Sequence, residues 1–194
     1  RKAFQAILAT AILAPCLAWS TTTINHQFTP DGGGDFFQGD TATYTVKIFN
    51  DSTTTAVTDV AFTSLLTEAG ALPNPKISLV TPVAATVSGC GAGATFNSGG
   101  TIVGLTGATV AAATDASTPG VCTVTFKVTA TAPGNHIVHI PANTDPNPTT
   151  SGFTYTEGAT KLYNTTDANA TLLVRSLAAP TGGKVFSPSP SFVG

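Results

Sequence analysis

The sequence predicts an all-β chain folded as an immunoglobulin-like antiparallel β-sandwich, and three observations carry that prediction. Apolar and polar residues alternate with period two in several segments. No stretch between residues 21 and 180 keeps a helical period for long. Clusters of Gly, Pro, Asn and Asp cut the chain at short intervals. Threonine points the same way, at 36 of 194 residues, because a β-branched hydroxyl residue suits the wet face of a strand.

Taken in order, the chain opens on a signal-type segment, residues 1–18. Arg1 and Lys2 form a basic start, residues 3–14 are apolar, and PCLA ends in the small residue Ala18. The apolar run is short for a membrane span, so removal after Ala18 is the expectation and retention as an anchor the alternative. Cys16 invites lipidation, but Pro15 directly before it fits a lipobox poorly. Residues 21–175 then read as one sandwich. In TATYTVKIF, Ala42, Tyr44, Val46 and Ile48 share one face, and Thr41, Thr43, Thr45 and Lys47 the other. VCTVTFKVTA sends Cys122, Val124, Phe126, Val128 and Ala130 inward, with Thr123, Thr125, Lys127 and Thr129 outside. Further strands are predicted over residues 57–65, 77–80, 84–90, 101–105, 136–140 and 168–175, with turns at DGGG, PNP, SGG, PGN and DPNP between elements.

Residues 176–194 read as a linker and the start of a second copy. SLAAPTGG has linker composition, and Phe186-Ser-Pro repeats Phe28-Thr-Pro from 158 residues upstream. That distance exceeds a solenoid period and suits separate beads on one chain.

Composition narrows the function classes. Eight Lys and Arg against ten Asp and Glu give a net charge of −2, and only 9% of residues are charged. Nucleic acid would meet no basic footprint, and an anionic membrane no polybasic run. With Cys16 in the leader, Cys90 and Cys122 remain, and an even pair in an exported chain predicts a disulfide. A metal site would need four ligands, which two cysteines and distant histidines do not supply.

The residues also carry a resemblance. Phe28-Thr-Pro, Gly39, TYTVKIFN (43–50), VTDVAFTSLL (57–66), Cys90, CTVTFKVTA (122–130) and ANATLLV (168–174) are similar to an Ig-like conserved-repeat domain of unknown function. That domain occurs in tandem in large bacterial surface and secreted proteins. The likeness covers roughly residues 24–175 plus FSPSPSFVG, and the DGGGDFF insertion makes the first turn longer than the family's. It implies an architecture, and a place among stalks, spacers and adhesive modules.

Several side chains invite chemistry. Asp31, Asp35 and Asp40 are hard oxygen ligands on one Gly-rich loop and candidates for calcium. Their spacing matches neither an EF-hand nor a repeat-in-toxin nonapeptide, and solubilising a turn is the competing role. His136 and His139 lie three apart, so on a strand they point to opposite faces and do not converge on a metal, one expected exposed and the other at the core margin. A Lys–Asn isopeptide bond would draw on Lys47 or Lys127 with Asn50, Asn164 or Asn169, yet both lysines fall on the wet faces. Asn50, Asn164 and Asn169 head glycosylation sequons, and Asn serves equally as a turn former.

No nucleophile stands beside a base, so an enzyme is not expected, nor is any cofactor. The expected role is an extracellular structural or spacer domain of a tandem-repeat bacterial cell-surface protein, whose partners are neighbouring repeats. One alternative is an adhesin that binds a host or surface glycan or protein through loops 31–37 and 145–155, with Phe36 and Phe37 as binding candidates. Another is a pilus-like fibre subunit, a homopolymer joined by strand addition through a terminus such as residues 20–28.

Overall fold

The structure is a computed structural model that describes residues 22–66, 77–99, 102–143 and 152–176. The leader, the linker with the second-copy phrase, and most of the 145–155 loop lie outside the described residues. In chain order the strands are β1 (Thr22–Pro30), β2 (Phe36–Phe37), β3 (Thr41–Asn50), β4 (Val57–Leu65) and β5 (Ile77–Leu79). Next come β6 (Ala85–Ser88), β7 (Thr95–Gly99), β8 (Ile102–Val110) and β9 (Gly120–Ala130). The last are β10 (Gly134–Ile140), β11 (Gly152–Glu157), β12 (Thr160–Tyr163) and β13 (Ala168–Arg175).

Two sheets share one core. In the first, the order is β1-β3-β9-β5, with β6 following β5 along the same edge of β9. The β3–β9 ladder runs unbroken from Thr41↔Thr129 to Asn50↔Gly120. Because the side-chain period of a strand is two, this register puts both apolar sets on one face. Ala42, Tyr44, Val46 and Ile48 from β3 and Cys122, Val124, Phe126, Val128 and Ala130 from β9 are all buried. The second sheet runs β12-β11-β4-β10-β13-β2, with β8 on the other edge of β4 and β7 beyond it. It supplies Phe62, Leu105, Val138, Phe153 and Leu172 to the opposite wall. The architecture is an antiparallel β-sandwich, as the sequence predicts.

Cys90 and Cys122 are joined in a disulfide, with Cα atoms 4.5 Å apart. Cys90 stands one residue beyond β6, after Gly89, and β6 is laddered to β9 up to Ser88↔Thr123. Past β6 the chain crosses to the second sheet, where the Cys90 carbonyl accepts the Thr109 amide of β8 at 2.8 Å, so the bond fastens that crossing to β9.

Five strands have no counterpart among the predicted ones: β1, β2, β7, β11 and β12. Each lacks clean alternation for a physical reason. β1 places Thr22 and His26 at inward positions where an apolar residue is expected. Four successive residues of β11, from Gly152 to Tyr155, are buried. Both β7 and β12 are hairpin partners with largely exposed faces. β2 is two residues long, and its parallel pairing with β13 turns part of the expected flexible loop into sheet.

Candidate functional site

The first loop is fixed by its own carboxylates. Asp31 Oδ2 accepts from the Thr41 hydroxyl at 2.6 Å, while Oδ1 accepts from the Thr43 hydroxyl at 2.9 Å and from the Lys127 ammonium. The bond from Lys127, followed by that from Thr41, holds the Asp31 carboxyl below the usual range. Asp35 pairs with Arg175 at 2.8 Å. Asp40 Oδ2 accepts the Phe37 amide at 2.9 Å and so closes a turn. The three carboxylates thus turn to three different partners, and among the described residues no three of His, Cys, Asp and Glu gather as a ligand set.

Phe36 is 2% exposed and belongs to the core. Its ring faces apolar side chains, so it offers no platform for a sugar, whereas Phe37 is half-buried at the surface. Lys47 and Lys127 both stand on the exposed face, as expected from the alternation. The isopeptide chemistry needs a desolvated lysine, and neither is one.

Two sequon asparagines are structural. Asn50 is buried, and its amide donates to the carbonyls of Thr55 and Ala111 at 2.9 and 3.0 Å. Asn164 donates to Pro141 and Thr166, both at 2.9 Å, and accepts from the Phe153 amide at 2.8 Å. Asn169 alone among the three is exposed.

A polar relay crosses the core. Tyr44 on β3 meets the His26 Nδ1 on one side and, at 3.0 Å, the Ser64 hydroxyl of β4 on the other. It therefore links the two sheets. Burial pushes the Tyr44 phenol well above its ordinary pKa, and it stays neutral. Burial likewise lowers His26, opposed by the Ala168 carbonyl and assisted by the charge of His139. The only sequence signals for this relay were a His and a Ser at inward positions, both easily taken for strand-edge polarity. His136 differs from expectation: both histidines were placed at or outside the core margin, yet His136 is buried and its Nε2 lies 2.8 Å from the Ala132 carbonyl.

β1, at the edge of the first sheet, and β13, covered on its outer side only by the two residues of β2, lie side by side and run the same way. The start of β1, from Thr22 to His26, borders residues 167–169, while Phe28 and Pro30 border Thr171 to Arg175. The chain consequently enters the sandwich at Thr22 and leaves it at Arg175, at opposite ends. At about 3.3 Å per residue, those ends are roughly 30 Å apart.

No family model matches the sequence, and no curated protein matches it. Among solved structures the chain is similar to the major pilin subunit of Bacillus cereus, at 9% identity and a TM-score of 0.46. That likeness covers 79% of this chain, which spans only 40% of the pilin's. It is also similar to AvmM, which catalyses macrocyclization in alchivemycin A biosynthesis, at 8% identity and a TM-score of 0.36. Here 83% of this chain and 92% of the other are covered. Both scores are too low for either likeness to carry an argument.

Proposed function

We propose that this chain is a non-catalytic, extracellular structural domain, a spacer bead within a bacterial surface protein of tandem Ig-like repeats. The observation that carries the reading is the placement of entry and exit at opposite ends of the sandwich. A bead with that geometry adds its full length to a stalk, whereas one with adjacent termini would fold the stalk back on itself. Three further features support it. The Cys90–Cys122 bond suits an oxidising exterior. Threonine hydroxyls dominate the outer face of β3 and β9, beside the two lysines Lys47 and Lys127. The carboxylates of the first loop are spent on bracing the exit end, where Asp35 holds Arg175.

The fibre alternative requires an extended segment to fill a neighbour's sheet. Thr22–Pro30 is laddered along its whole length to β3 of its own chain, so strand addition would draw on another part of the molecule. Among the described residues no helix is long and apolar enough to cross a membrane.

Size-exclusion light scattering with intact mass, on protein exported with its leader, tests the reading. A monomer lacking the leader and two hydrogens lighter than the reduced chain is the expected result. Retained leader mass, or assemblies that grow with concentration, would replace the spacer with the fibre subunit.

A further inference from the structure

At the entry end, the seam between β1 and β13 opens into a cavity of about 510 Å³, within the roughly 300–1,000 Å³ of small-ligand sites. Its floor is the stacked pair Phe153 and Tyr155, with ring centroids 5.3 Å apart. Tyr163, the 164–167 loop and the first two residues of β13 form one wall, and the first residues of β1 form the other. The loop wall is preformed, because Asn164 holds it through the hydrogen bonds described above.

The lining restricts what fits. Among the described residues no lysine or arginine lines the cavity, so a phosphate, sulfate or carboxylate would find no counter-charge there. Threonines and asparagines outnumber apolar residues around it, so an acyl chain would strand their polar groups. Unused hydrogen-bonding groups stand at the mouth. The exposed Asn25 and Asn169 carboxamides flank it from the two strands. Asp167 accepts the Ala142 amide through Oδ1 at 2.6 Å, which leaves Oδ2 for a hydroxyl donor. Deeper in the same wall the groups are already paired, the Thr22 hydroxyl with the Tyr155 phenol and the His26 ring with the Ala168 carbonyl, so only the mouth is left to a ligand.

We propose that this cavity binds a neutral carbohydrate, one sugar face against the Tyr163 ring and its hydroxyls met by Asn25, Asn169 and Asp167. Carboxamides and carboxylates match hydroxyls, which donate and accept at once, and an aromatic face covers the apolar C–H side of a sugar ring. A spacer need bind nothing, so the site stands or falls independently of the structural role. It also lies at the far end of β13 from Phe37, away from the loop suggested by the sequence.

The test is a ¹H–¹⁵N NMR titration of the leaderless chain with glucose, galactose, mannose, N-acetylglucosamine and their disaccharides at millimolar concentration. At least one sugar should shift the amides of Asn25, His26 and residues 163–169. Tyr163→Ala and Asn169→Ala should each weaken that binding about tenfold or more, a loss of one good contact, while Phe37→Ala leaves it unchanged. Asn169 is exposed, so its variant keeps the test open should Tyr163→Ala fail to fold. No shift at these amides with any sugar would overturn the proposal. So would shifts elsewhere, binding that survives both cavity variants, or displacement of the sugar signal by an extended peptide laid along β13.

Discussion

Removing the Tyr44 hydroxyl alone would strand two buried partners, the His26 Nδ1 and the Ser64 hydroxyl. An unsatisfied buried polar group costs about 1–3 kcal/mol, so Tyr44→Phe should lower the free energy of unfolding in urea by about that amount. The relay also makes the fold sensitive to acid. The folded pKa of His26 lies below its ordinary 6.5, so just under that pH the unfolded chain binds more protons than the native one. Stability is therefore full above about pH 6.5 and declines as pH falls from there to the folded value. Asp31 has its window lower, since a depressed carboxyl contributes stability above its ordinary 3.8 that is lost as pH falls through the folded pKa. Thermal melts from about pH 8 to about pH 5 should show a falling midpoint, and a flatter profile in His26→Gln. An equal slope in that variant would remove His26 as its source.

At the level of elements, β9 carries the first sheet, paired with β3 along one edge and with β5 and β6 along the other. The disulfide guards its entry. Closing a loop of 32 residues stabilises by about 3–4 kcal/mol in the loop-entropy treatment. Paired Cys90→Ser and Cys122→Ser substitutions should lower unfolding free energy by up to that amount and leave the circular dichroism of the folded state unchanged. Loss of the β signature would mean that the bond directs folding rather than fastening a finished sheet. The bend from β6 into the bond depends on Gly89, whose φ of +68° and approach to the Val121 carbonyl leave a Cβ only 2.2 Å of room. Such details explain what the sequence disclosed. β3 and β9 alternate cleanly because one face is dry and the other wet, so their strands and faces were legible. β11 was not, because burial on both faces erases the period. β1 was hidden by the very residues, Thr22 and His26, that shape the cavity and the relay. The cavity itself joins residues more than a hundred positions apart, and no local pattern encodes that. The first-loop aspartates were visible as a cluster, but only the fold shows them facing Lys127, Phe37 and Arg175 separately.

For the whole molecule, the spacer reading makes a mechanical claim. A pull on Thr22 and Arg175 acts along β1 and β13 in opposite senses, so the ladders to β3 and β10 are loaded in shear, across many hydrogen bonds at once. Peeling bonds one by one would need both ends of the chain at one end of the sandwich. Single-molecule extension of the oxidised protein should therefore show one high-force event rather than a graded opening. Within that event the Cys90–Cys122 loop stays closed, so its 32 residues add nothing to the released length. Reduction should lengthen the step by about 110 Å, at the ~3.3–3.6 Å per residue of extended chain. A step of unchanged length would mean that the bond is absent in the pulled molecule. A graded, low-force opening would mean that the ends are not loaded in shear, and the case for a load-bearing stalk would fall with it.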